Sequence, residues 1–321
     1  MEKFNRKYAI ITGFMGCVRD RFIEYHPTRE MEEMVEMAAK VKGCTGLEVV
    51  YPQNFQDAGK VKTLLDKYGL ETSAVNLNIK GEEIWRYGTF SCPDEKVRKE
   101  AVRYLKNAMD AAAELGCNMV QTALLNDGAD YPFELNFVDA YKNVADGIRE
   151  CAEYRPDVRI SLEYKMSEPR VHCLFNSAGK MAYLCELIGK PNVGVTLDTG
   201  HAFQALEIPG ESASFLGVNN RLFYVHVNDN TRNWDWDLVP GVINLWEFIE
   251  FFYYCKKVGY NGYYTADVFP NRNDPIKIFT KTFEWMDFML DTAEKIDEKK
   301  IEELQKEKDN FALLDYIRSL I

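Results

Sequence analysis

Short apolar runs rich in β-branched residues alternate along this chain with longer segments whose apolar positions recur every three to four residues. Residues 8–12, 46–51, 71–77, 117–125, 158–164, 193–197, 222–227 and 263–269 read as strands. Between them, a stripe at Met31, Met34, Val35 and Ala38, and the segments 56–68, 95–115, 136–153, 178–188, 245–258 and 277–296, read as helices. Pro52 stops the second strand, Pro93-Asp94 suits a helix start, and Gly259 a helix end. Strand–helix alternation predicts a parallel sheet. Eight such units predict a single α/β domain closed as a (β/α)8 barrel over residues 1–296. An open doubly wound sheet is the alternative, but the G-x-G-x-x-G loop after the first strand is missing. Residues 297–321 form a charged C-terminal helical extension with apolar positions Ile301, Leu304, Phe311, Leu314 and Ile317. Its periodicity fits a helix packed on its own barrel and one that grips a neighbouring subunit equally well.

Composition narrows the function. A hydrophobic fraction of 46% in 321 residues supports a full core, while the net charge of −11 repels polyphosphate and argues against nucleic acid as a partner. The eight cysteines are scattered without a C-x-x-C pair, which reads as a reduced cytoplasmic protein. The apolar stretch after Lys7 is short and runs into Arg19-Asp20-Arg21, so it reads as a buried first strand rather than an export signal. No run approaches the roughly 18 apolar residues of a membrane span, and no membrane partner is expected.

In a (β/α)8 barrel the chemistry sits at the C-terminal ends of the strands. There the fifth strand offers Glu163 and Lys165, the sixth Asp198 and His201, the seventh His226, Asn228, Asp235 and Asp237, and the eighth Asp267. Singly, each admits a structural role. Asp198-Thr199-Gly200 suits a turn, His226 a hydrogen-bonded core position, Asp235 and Asp237 a solvated loop, and Glu163 an ion pair with Lys165 or Arg159. Asp267 is harder to place that way, because aspartate is depleted in strands and costly when buried unpaired. Together, on consecutive strand ends, they predict a metal site. Oxygen ligands with a few imidazoles and no thiolate suit Mn²⁺, Mg²⁺ or Co²⁺.

This order of residues resembles the xylose-isomerase-like TIM-barrel superfamily, and within it the two-metal aldose–ketose isomerases typified by xylose isomerase and L-rhamnose isomerase. The matching pattern is Glu163-x-Lys165, Asp198-x-x-His201, His226, Asp235-x-Asp237 and Asp267, with His on the seventh strand as in L-rhamnose isomerase. The resemblance covers the C-terminal half and implies one metal on Glu163, Asp198, His226 and Asp267. It implies a second on His201, Asp235 and Asp237, with Asp198 close enough to bridge. It further implies an open-chain sugar as substrate, Lys165 polarising its O1, and hydride moving between C2 and C1, with Glu163 and Asp267 in the catalytic set. Trp85, Arg170, His172 and Asn228 are the expected substrate contacts, Phe14 and Trp236 candidate pocket walls, and a homo-oligomer the expected assembly. His26, in a loop, is assigned a structural role.

Three other readings compete. A single-metal ketose 3-epimerase or a lyase on a sugar derivative shares the superfamily, but those epimerases place Glu on the eighth strand where this chain has Asp267. An endonuclease-IV-like enzyme needs many histidines and a basic face, against four histidines and a charge of −11. A non-catalytic sugar-binding barrel has no need of so many ligand-type residues on one rim.

Overall fold

The computed structural model describes residues 6–54, 57–169 and 171–321. Eight parallel strands close on themselves: β1 (Tyr8–Ile11), β2 (Cys44–Tyr51), β3 (Glu71–Leu77), β4 (Met119–Ala123), β5 (Arg159–Glu163), β6 (Val193–Asp198), β7 (Leu222–Val227) and β8 (Tyr264–Ala266). Each pairs with its sequence neighbours and β8 pairs with β1, the eight-unit closure expected from the alternation.

Helices α1 (Met31–Ala39), α2 (Ala58–Tyr68), α3 (Glu95–Glu114), α4 (Phe137–Tyr154) and α5 (Ala178–Ile188) follow the first five strands. Asp57, Asp94, Asn136 and Ser177 cap α2 to α5 by accepting first-turn backbone N–H groups. Two helices absent from the sequence reading, α6 (Thr199–Gln204) and α7 (Pro209–Val218), join β6 to β7. The chain closes with α8 (Leu245–Lys257), α9 (Pro275–Glu294), α10 (Glu298–Glu307) and α11 (Asn310–Arg318).

The period-2 alternation of each strand sorts two environments. In β7, Val225 and Val227 face the helix layer and join the main core, which also takes in Leu105, Ile148, Phe248, Phe252 and Met286 from α3, α4, α8 and α9. Tyr224 and His226 point the other way, into the barrel. Much of that interior is polar. The Thr265 hydroxyl donates to the Tyr224 oxygen (2.6 Å), which donates to Ser73 (2.7 Å), and Ser161 and Thr196 are bonded at 2.7 Å. A barrel usually fills this space with branched apolar side chains. Here hydrogen bonds replace much of that packing, leaving a smaller apolar plug around Ala9, Ala74, Met119, Phe223 and Tyr263.

Over residues 297–321, Ile301 and Leu304 of α10 are buried, Ile317 packs partly on the barrel core, and Phe311 and Leu314 remain exposed. Among the described residues no helix is long and apolar enough to cross a membrane.

Candidate metal centre

Four neighbouring strands, β5 to β8, deliver the ligand-type side chains. Glu163 closes β5, Asp198 closes β6, His226 is the penultimate residue of β7, and Asp267 immediately follows β8. Glu163, Asp198, His226 and Asp267 each offer one ligand atom, all within 4.8 Å of one another. The His226 Nδ1 stands 3.4 Å from Glu163 Oε1, 3.3 Å from Asp267 Oδ2 and 3.8 Å from Asp198 Oδ2. Glu163 Oε1 and His226 Nδ1 are buried and make no hydrogen bond, and neither do His201 Nδ1 and Asp235 Oδ1 nearby. Unsatisfied buried polar atoms are costly. Glu163 Oε1 and His226 Nδ1 belong to the four-residue group, whose closeness fits a divalent cation, and the donor set of carboxylates with one imidazole fits a hard or borderline ion.

Asp198, His201 and Asp235 form a second group by the same 4.8 Å measure. Asp237, expected to share that ion, is not in the group, although the resemblance paired it with Asp235. It sits at φ 48°, and its carboxyl is pushed well above the usual range by burial and by the adjacent Asp235 and Asp267. Lys165 already stands against this group, its Nζ 2.9 Å from Asp235 Oδ2 and also on Glu168.

The local fold explains these placements. Asp198 serves as N-cap of α6, accepting from the His201 backbone N–H at 2.8 Å, so the three-residue spacing to His201 is one helical turn. Gly200 lies between them because a Cβ there would collide with Asn228 Oδ1. The Asn228 amide donates to both Asp198 oxygens, at 3.0 and 2.9 Å.

Burial and neighbouring charge oppose one another throughout the site. Burial pushes the Asp198 carboxyl up to about 7, with Glu163, Asp267 and Asp235 adding to it against His201. In Glu163 burial is outweighed by the His226 and His201 imidazoles, which hold the carboxyl well below its usual range. Burial would lower both imidazoles, yet Asp198 and Asp235 raise His201, and Glu48 and Glu163 raise His226. The Lys165 ammonium is raised against its burial by Asp235 and Glu168.

The expected substrate contacts fare differently. Trp85 is 2% exposed and packs edge-to-face with Tyr104 of α3. His172 lies on a small three-stranded sheet (residues 128–129, 167–168 and 171–173), its largely exposed side chain 3.2 Å from Asp130 rather than in the cluster. Asn228 is fully buried with its amide committed to Asp198. Arg170 lies outside the described residues. Phe14 packs edge-on against Phe269 and tilted against Phe279, Trp236 is half exposed with its Nε1 donating to Asn233, and His26 Nε2 bonds the Pro270 carbonyl at 2.8 Å.

Two residues of the site went unnoticed in the sequence. Gln121 of β4 donates to Glu163 Oε2, and Glu48 of β2, 0% exposed, bonds His226 Nε2 at 2.8 Å. The signal for both was a long polar side chain at an inward position of an apolar strand.

Residues 35–289 match the family model described as Xylose isomerase-like TIM barrel. Over 197 residues the chain is 29% identical to a xylose isomerase of Thermus thermophilus, a match spanning 58% of this chain and half of that relative's length. Among solved structures, a D-tagatose 3-epimerase-like protein superposes with a TM-score of 0.71 at 22% identity, covering 90% of this chain and 98% of the other. A D-allulose 3-epimerase from Methylomonas sp. gives 0.69 at 18% identity, covering 89% and 98%.

Proposed function

The chain belongs to the xylose isomerase-like TIM barrel family, and we propose that it is a divalent-metal-dependent sugar isomerase or epimerase with one principal metal site on Glu163, Asp198, His226 and Asp267. The observation that carries this reading is the convergence of two buried atoms that make no hydrogen bond, Glu163 Oε1 and His226 Nδ1, at the C-terminal ends of β5 to β8. A divalent ion held there supplies positive charge that polarises a sugar carbonyl and steadies the oxyanion beside it.

The chain's own residues supply proton handling and orientation. Glu163, held ionised by the His226 and His201 imidazoles, is the carboxylate placed to accept a proton from the carbon next to the carbonyl. Lys165 keeps its proton, so it serves as a cationic donor to a substrate oxygen, aimed by Asp235 and Glu168. Asp267, with a side chain 19% exposed, faces the open end of the cluster and is the counterpart acid–base group. The buried positions of Asp198, His201 and His226 keep water from the floor of the site.

The single-site form favours proton transfer of the epimerase kind, because Lys165 and His201 already neutralise Asp235 where a second ion would sit. The second reading, a two-metal aldose–ketose isomerase with hydride transfer, is supported by the Asp198, His201 and Asp235 group. Mn²⁺ is the ion we assign, with Mg²⁺ or Co²⁺ as alternates. A cytoplasmic, homo-oligomeric enzyme completes the proposal, consistent with eight cysteines that are all free.

The test is metal analysis of protein dialysed against Mn²⁺, combined with an aldose and ketose panel run in D2O. One ion per chain with solvent deuterium entering the carbon beside the carbonyl supports the first reading. Two ions with aldose–ketose interconversion and no deuterium uptake moves the assignment to the second. No bound ion and no turnover on any sugar would overturn both.

A further inference from the structure

Glu48, from the N-terminal half of the barrel, reaches the site without joining the ligand cluster. Glu48 alternates along β2 with Leu47 and Val49, both in the outer core, so the pleat turns it inward. Its side chain is fully buried, and both oxygens are occupied. Oε1 accepts from Asn76 Nδ2 at 2.5 Å and Oε2 meets His226 Nε2 at 2.8 Å. The His226 ring thus spans two groups of carboxylates, with Nε2 on Glu48 and Nδ1 towards Glu163, Asp198 and Asp267. The edge-on contact with the Tyr224 ring, 5.5 Å between centroids, restrains it from one face.

We infer that Glu48 is a positioning residue that fixes the ring orientation and tautomer of His226, so that Nδ1 presents its lone pair to a divalent cation. A neutral imidazole carries one ring proton. A carboxylate that can only accept draws that proton to Nε2 and leaves Nδ1 free to ligate. It also makes the ring a stronger donor to a metal, the usual effect of a hydrogen-bonded carboxylate behind a ligating histidine. Asn76, on the neighbouring β3, holds the carboxylate in place, so residues of β2 and β3 prepare a ligand carried by β7. This inference rests on the metal reading of the cluster.

The experiment measures Mn²⁺ affinity by calorimetry for the wild type, Glu48→Gln and Glu48→Ala, with ¹⁵N spectra of the His226 ring in metal-free and Zn²⁺-loaded protein. The amide of Glu48→Gln can still accept from Nε2 but lacks the charge, so affinity should fall about tenfold. Glu48→Ala removes the partner altogether and should weaken binding by up to about a hundredfold. In metal-free protein brought to a pH where the ring is neutral, the spectra should place the proton on Nε2 in the wild type and show mixed tautomers in Glu48→Ala. A purely structural Glu48 would lower the melting temperature and leave both the affinity and the tautomer of folded protein unchanged, which would overturn the inference. Should Glu48→Ala not fold, the near-isosteric Glu48→Gln carries the test. A wild type that binds no Mn²⁺ overturns the metal reading itself, and this inference with it.

Discussion

The side chains in this site are held by a few specific neighbours, which makes single substitutions informative. Gly200 is the clearest case. In Gly200→Ala the added methyl must displace Asn228, whose amide spans both oxygens of Asp198. Metal affinity should drop on the order of tenfold or more, as for the loss of other groups that orient a ligand, while calorimetry of the folded variant keeps its stoichiometry. The pH dependence follows from the same residues. Burial pushes Asp198 up to about 7, and the metal-free His226 is raised by Glu48 and Glu163, so these two ligands hold protons near neutrality that an ion must displace. Affinity is therefore lost as pH falls and gained as it rises through about 7, and binding releases protons. Titrations in buffers of different ionisation enthalpy should give apparent heats that differ accordingly; identical heats would contradict the assignment.

Among the elements, those with strong periodicity were legible and those with weak periodicity were not. All eight barrel strands were anticipated, because short β-branched runs bounded by turn residues leave little ambiguity. The eighth was read as 263–269 but spans only Tyr264–Ala266, so Asp267 stands past the strand end, where its side chain is partly exposed. Helices α6 and α7 were missed because one is a single capped turn or so and the other, PGESASFLGV, carries two glycines and no apolar stripe. The ligand types were legible because Asp and His are conspicuous in apolar surroundings. Glu48 and Gln121 were passed over because one strand's alternation does not tell which face is the barrel interior. The joint between elements gives its own prediction. Asn192, before β6, donates to the carbonyls of Ala152, Arg155 and Val158 and so ties α4 to β5. Asn192→Ala removes the side-chain donor to the Ala152, Arg155 and Val158 carbonyls and should destabilise the fold by about 1–3 kcal/mol, read from the urea midpoint.

For the whole molecule, the proposed metal site makes ion binding and folding one equilibrium, because the ligand-type residues converge from four strands only when the barrel is closed. Free Mn²⁺ at about a hundred times its Kd should stabilise the protein by about 2.7 kcal/mol. The melting temperature should rise with added ion and fall on chelation; a melting curve indifferent to both would separate the cluster from any metal role. The depth of the cluster also bears on time rather than affinity. Glu163, Asp198 and His226 have side chains 5%, 0% and 1% exposed, against 19% for Asp267. On the proposed metal reading, Asp267 is the most exposed of the four ligands and the one an exchanging ion would meet first. A protein carried through purification would then report the metal it met while folding in the cell more faithfully than the metal in its final buffer.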